Sequence, residues 1–475
     1  MNMKNILSLL GLGLAFIFTP NVWSENLKEI YALALTNDPI INESINTNLA
    51  NDEIETQVRS LIIPRFTLTA SMLDLESVDP NRPRSYATGE LDPNIISNET
   101  TTESTGWSLN VNQVLFDWSK VYQLRQAQKT VELGDLYLLI QYQNLILRVT
   151  NAYFSVLSAQ ENLVFNERRL VRFQEQLEQA ERRFELGALA ITDLQLIQSQ
   201  QDLAVTGVLF AQRSLIEQED LLAEIIGTRV ENLAPLDNGF QFNLPSPSNL
   251  EDWIELGLEA NFELNASLLE NQIAYNNYQA IRSTRLPTLN FNVSMSSSTT
   301  DILRYNQLFD NAPCFAYGGN PACPAEYTES ESDLDDVRLS LNFSLPIFSG
   351  GLLSSQIRQA SFQYEATKYA ITRQQRQLER AIRSSFLGVE LGISQIRAYE
   401  QAILSAQTAL QASERAFSLG AATTSDILFA EENLLNAQVN LSNAKKDFIL
   451  NSFNLKALIG NLTAEDISLL SESLN

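Results

Sequence analysis

The chain contains no histidine, so the commonest general base and the commonest transition-metal ligand are both missing. Its two cysteines, Cys314 and Cys323, close the short run Cys-Phe-Ala-Tyr-Gly-Gly-Asn-Pro-Ala-Cys. Two thiols fall short of a zinc site, which needs more ligands. In an exported chain a single close pair reads as a local disulfide. No nucleophile stands with a base in a usable pattern, and no phosphate loop is present. Catalysis, a cofactor and a resident metal are therefore not expected. The chemistry left is electrostatic. With 57 acidic and 32 basic residues the net charge is −25, which argues against nucleic acid, whose phosphates need Lys and Arg. Two readings of the charge stay open: a solvated acidic surface, or an acidic pore that favours cations. Without histidine and with 4 methionines, a path for soft metal ions lacks ligands.

Charge can select only if some element positions it, and the first question is where the chain resides. Lys4 precedes an apolar run from Ile6 to Phe18, and Val22 and Ser24 fit the small positions before a cleavage site. Residues 1–24 read as a secretory signal peptide. No later segment has the apolar run of a membrane helix. A chain that enters a membrane without such helices must do so as a closed barrel.

The sequence repeats itself. Leu33-Ala34-Leu35 matches Leu256-Gly257-Leu258, and Pro64 matches Pro287. Ser108-Leu109-Asn110 matches Ser340-Leu341-Asn342. Glu181 to Ala188 (ERRFELGA) matches Glu414 to Ala421 (ERAFSLGA), and Asp193 matches Asp426. The chain thus splits into repeats at 25–250 and 251–475. Each half predicts a helix of about 35 residues (27–61; 252–285), ended by proline. Two strands come next, near 64–73 and 106–116, and near 287–298 and 335–347. They alternate apolar residues with small polar ones, as in Phe66, Leu68, Ala70 and Met72. One lipid face and one lumen face is the pattern of an outer-membrane barrel strand, and a half-buried soluble sheet gives the same alternation. Polar stretches at 73–105 and 298–335 read as exposed loops.

After the strands stand helices of nearly 70 residues, 119–186 and 352–419. A three-four seam runs from Tyr142 through Leu145, Val149, Ala152 and Val156 to Phe184, and its copy from Leu378 to Phe417. Such a seam makes long coiled coils, roughly 100 Å at 1.5 Å per residue. Each ends at Leu-Gly-Ala, where glycine suits a C-terminal turn. Thr192, and Thr424 or Ser425, stand where N-caps would start returning helices, 192–226 and 424–459. A long exported coiled-coil adhesin or periplasmic spacer explains the seam but leaves the strand pairs and the duplication unexplained.

Arg183 to Asp193 (RFELGALAITD), Ser344 to Gly351 (SLPIFSGG) and Phe448 to Gly460 (FILNSFNLKALIG) resemble the TolC family of outer-membrane efflux and secretion channels, over essentially the whole mature chain. The resemblance implies a mixed α+β membrane protein of the Gram-negative outer membrane. It implies a homotrimer whose four strands per protomer make a 12-stranded barrel, continued by a long periplasmic α-helical barrel. Equatorial segments would fall at about 227–250 and after Gly460. The family's partners are a periplasmic adaptor (membrane fusion) protein and an inner-membrane transporter, and it passes small molecules or proteins outward. The tip turns Leu186-Gly187-Ala188 and Leu419-Gly420-Ala421 would seat the adaptor. Asp193 falls on a latch position whose family partners, a tyrosine and an arginine, are here Phe417 and Ala422. Asp426 falls on one of two constriction aspartates, and Phe429 replaces the second. A carboxylate at 426 also suits a helix N-terminus.

Overall fold

The computed structural model describes residues 25–79, 95–230, 232–237, 239–308 and 326–474. The expected signal peptide and the Cys314–Cys323 disulfide lie outside the described residues. The chain runs twice through one order. The first pass is α1 (Leu27–Asn37), α2 (Pro39–Ser60), β1 (Arg65–Asp79), β2 (Ile95–Phe116), α3 (Trp118–Glu185) and α4 (Ile191–Ile226). The second is α5 (Leu250–Ala260), α6 (Phe262–Ser283), β3 (Thr288–Leu308), β4 (Glu326–Ser344), α7 (Leu352–Ser418) and α8 (Thr424–Leu458), with α9 (Ala464–Ser471) at its end. Two compact units result: Asn48–Gly134 with Ser267–Ile371, and the remainder.

The first unit is built on one antiparallel sheet in the order β1-β2-β3-β4. Its register sets like against like. Leu68, Leu109, Met295 and Val337 form one row across all four strands, and Phe66, Val111, Val293 and Leu339 form another. Between them runs a polar row of Thr67, Asn110, Ser294 and Arg338. Because alternate residues point to opposite faces, one face is an apolar band. It is uncovered: Phe66, Leu68, Val337, Leu339, Leu341 and Phe343 are all exposed. An apolar patch this large on a monomer marks contact with lipid or protein.

The strands are longer than the alternation predicts, at 15, 22, 21 and 19 residues. Segments expected to be loops, such as Asp74–Asp79 and Asn98–Glu103, are paired strand. Apolar alternation marks where a strand meets an apolar medium, whereas backbone pairing needs no apolar side chain. Thr100-Thr101-Thr102 favours extended backbone, which composition alone assigned to a loop.

The second unit corrects the leading helices. Each expected single helix is two, broken at Asp38-Pro39 and at Asn261-Phe262. Asp38 Oδ2 accepts from Ile41 N–H at 3.2 Å, and Asn261 Oδ1 accepts from Leu264 N–H at 2.8 Å. Each thus caps the second piece at the orphaned amides of its first turn. The break also serves the returning helices. Asn37 Nδ2 donates to Ile226 O at 2.9 Å, and Asn261 Nδ2 donates to Leu458 O at 3.0 Å, satisfying carbonyls at the ends of α4 and α8. Gly460 turns α8 aside at φ +69, and a Cβ there would sit 2.4 Å from Ala260 O.

Around these breaks lies the main core. Leu27, Ile30 and Ala34 of α1 meet Leu145, Val149 and Val156 of α3, Val389 and Ile396 of α7, Phe448 and Ile449 of α8, and Ile467 of α9. Each such Leu, Ile, Val or Phe side chain contributes roughly 1.5–3 kcal/mol on burial. Asp38 is buried here and held by Arg148 through Nη2 at 2.6 Å and Nη1 at 3.3 Å. The Tyr153 hydroxyl donates to Ala234 O at 2.7 Å, and burial lifts its pKa well above the phenol range. Among the described residues, no helix is long and apolar enough to cross a membrane.

Candidate functional site

The expected site residues gather at the far ends of the helical hairpins. After α3 the chain turns through Leu186-Gly187-Ala188, and after α7 through Leu419-Gly420-Ala421. The two turns match bond for bond. Gly187 N–H donates to Phe184 O at 2.9 Å and Ala188 N–H to Arg183 O at 2.8 Å; Gly420 N–H donates to Phe417 O at 3.0 Å and Ala421 N–H to Ala416 O at 2.8 Å. This pairing closes a helix with a left-handed residue, and Gly187 and Gly420 supply φ of +73 and +75. Nothing lies within 4 Å of a Cβ built on either glycine. Backbone conformation rather than crowding therefore selects them here. Leu186 and Leu419 are each 84% exposed, so both turns present one apolar side chain to their surroundings.

The returning helices begin differently. Thr192 is not a cap: α4 starts after Ala190, which has no side-chain hydrogen bond to offer. Asp193 sits half-buried in its first turn. Neither Thr424 nor Ser425 caps α8; Thr423 does, through a capping box. Thr423 N–H and Oγ1 donate to Asp426 Oδ2 at 2.8 and 2.7 Å, and Asp426 N–H donates to Thr423 Oγ1 at 3.3 Å. These bonds hold the exposed Asp426 carboxyl below the usual aspartate range, the backbone N–H of Thr423 contributing most and its hydroxyl less. Asp426 is thus a helix cap and a solvent-facing negative charge together. Phe429, three residues on, is 68% exposed on the same side of α8, while Ile427, Ala430 and Leu434 turn inward onto Leu410 of α7.

The structure joins Phe417 to Arg183, a residue of the repeated and family-like motif to which the sequence assigned no partner. The Arg183 guanidinium lies 5.0 Å over the Phe417 ring, and its Nη1 reaches Phe417 O at 3.5 Å. One side chain from α3 thereby ties the first turn to the second. Thr423, Arg172 and Glu431 also stand outside the expected set. Thr423-x-x-Asp426 is a readable capping pattern, and Glu431 is legible as a charge on the apolar face of α8. Arg172 and Glu431 form an ion pair at 3.1 Å. Among the described residues no cluster of acids or thiols is arranged to hold a metal ion.

The chain matches the model of the family described as outer membrane efflux protein twice in tandem, over residues 30–228 and 253–461. It is 32% identical to outer membrane protein TolC of Vibrio cholerae over 465 residues, covering 98% of this chain and 97% of that protein. It is 26% identical to the alkaline protease secretion protein AprF of Pseudomonas aeruginosa, covering 99% and 92%. Its fold is that of the crystal structure of the outer membrane protein VceC of Vibrio cholerae, with a TM-score of 0.68 at 18% identity, covering 91% and 96%.

Proposed function

The chain belongs to the TolC-type outer membrane efflux protein family, and from that premise we propose how this molecule assembles, docks and gates. It is an exit duct of the Gram-negative outer membrane, serving efflux or type I secretion. The proposed assembly is a homotrimer. The observation that carries it is the open four-stranded sheet: its apolar rows are exposed, and β1 and β4 each leave one edge unpaired. Unpaired edges cannot stand in lipid, and four strands are too few to enclose a lumen. Three copies would close a 12-stranded barrel with the apolar band toward lipid.

The turns Leu186-Gly187-Ala188 and Leu419-Gly420-Ala421 are proposed to seat a periplasmic adaptor protein, which links the duct to an inner-membrane transporter. Two equal turns, each with an exposed leucine and an open glycine, support that reading. The proposed constriction is formed by Asp426 and Phe429, with Phe417 on the same hairpin end and Asp193 on that of the first hairpin. Three copies of Asp426 would attract cations and repel anions, and Phe429 would add an apolar ring that resists wetting. The duct does no chemistry and spends no energy of its own. Purified full-length protein should show a native mass three times that of one chain, and Phe429→Ala should raise its conductance. A stable monomer without conductance would contradict both.

A further inference from the structure

Glu431 lies on α8 five residues beyond Asp426, on the face opposite Phe429. Its neighbours on that face, Ile427, Ala430, Leu434 and Ala437, are apolar and buried, and Glu431 itself is 1% exposed. α3 brings two cations to it. Arg172 Nη1 lies 3.1 Å from Glu431 Oε1, yet that oxygen accepts no hydrogen bond. Arg169 is the second; its guanidinium rests 5.4 Å over the Phe173 ring, and its buried Nε has no acceptor. α7 contributes Glu414, a like charge. Two turns back on α8, the buried Thr424 hydroxyl also lacks a partner. This contact between α3 and the gate-bearing helix is a carboxylate out of water, imperfectly compensated.

Burying one carboxylate costs several kcal/mol, which an ion pair repays only with good geometry and further hydrogen bonds. Here the repayment is incomplete. We propose that Glu431 is a positioning residue of the gate that answers to protons: protonated, it keeps α8 packed on α3 and the tip closed; ionised, it favours an arrangement that wets it. The inference rests on the reading of the hairpin ends as a gate.

The sign comes from linkage. Burial, and after it Glu414, raises the Glu431 pKa above its ordinary 4.5, against the opposing pull of Arg172 and Arg169. The closed arrangement therefore holds the proton more tightly than an arrangement with Glu431 in water. Acidification through the window above 4.5 favours closure, and a rise in pH through the raised value favours opening. An ion pair with a purely structural role predicts the reverse at low pH, a loosened tip.

The test is single-channel open probability of full-length trimers in planar bilayers between about pH 5 and about pH 7.5. Wild type should open more as pH rises. Glu431→Gln should be closed more than wild type at neutral pH and flat across the window. Arg172→Gln removes a cation that lowers the carboxyl pKa, so its opening midpoint should move to higher pH. A wild-type slope in Glu431→Gln, or a midpoint unchanged or lowered in Arg172→Gln, overturns the proposal. If Glu431→Gln fails to form trimers, Arg172→Gln decides alone. Asp426→Asn, run beside them, separates the two readings: lost cation selectivity with an intact pH slope leaves the gate standing on its own terms. Unchanged selectivity there removes the gate reading, whatever the Glu431 result.

Discussion

The two hairpin ends share a turn and differ in how the returning helix starts. Both turns use the same hydrogen bonds, the same left-handed glycine and the same exposed leucine. Beyond the turn, α4 starts without a cap and leaves Asp193 half-buried, whereas α8 starts with a capping box that fixes Asp426 in the open beside Phe429. A duplicated hairpin thus has two layers. The turn is dictated by backbone geometry, so both copies keep it. The first turn of the returning helix is set by single side chains, so it is free to specialise. On the proposed reading, docking would belong with the shared layer and gating with the second hairpin.

The largest effect should come from the shared layer. Gly187→Trp with Gly420→Trp fills two open sites at positive φ, and a side chain there blocks close backbone approach. Export should be abolished while the protein still reaches the outer membrane, as an export assay and fractionation would report. Each single variant should cost a similar amount, and a strongly unequal pair would break the equivalence of the turns.

Asp426→Asn against Asp193→Asn probes the layer that differs. The first should weaken block by trivalent cations from the periplasmic side about tenfold or more, because a ring of charge is lost. The second should change block less than about twofold. Equal effects would mean that the hairpins do not divide their work.

A smaller change is expected from Arg183→Ala. The guanidinium on the Phe417 ring is exposed enough to contribute about 0.5–1 kcal/mol, so its loss should raise open probability roughly two- to fivefold. Phe417→Ala should do the same, and the two together no more than either alone.

The smallest effect concerns pH. The Asp426 carboxyl is held below the ordinary range by Thr423, so the proposed ring would stay charged, and its contribution present, until pH falls through that depressed value. Cation selectivity should persist below about pH 3.9, the usual aspartate value. Thr423→Ala should move its acid limit upward. A limit that does not move would show the capping bonds to be irrelevant to the ring.

Much of this was legible in the sequence because it is periodic. The three-four seam gives α3 and α7 nearly to the residue, and its members Leu145, Val149, Val156, Leu378, Ile382 and Val389 are buried. Leu-Gly-Ala gives both turns. The strand cores show in their alternation, but their polar extensions do not, since pairing there rests on backbone groups and carries no apolar signal. The breaks at Asp38 and Asn261 escaped for another reason. At each break an asparagine, Asn37 or Asn261, meets the end of a returning helix almost 200 residues away in sequence, at Ile226 and Leu458, and no local window contains that demand. The Arg183–Phe417 contact likewise joins residues 234 apart. At position 426 the sequence allowed a cap, a pore charge or both; the geometry shows the cap and leaves the carboxyl exposed.

On the proposed reading, several copies of this chain close one barrel and make a passive, cation-favouring duct. Planar-bilayer recording of the purified full-length protein, with its oligomeric mass measured on the same sample, tests it most directly. Trimers are expected, giving discrete, cation-selective steps that trivalent cations block from the periplasmic side. Monomers or dimers that leave the bilayer silent would contradict it.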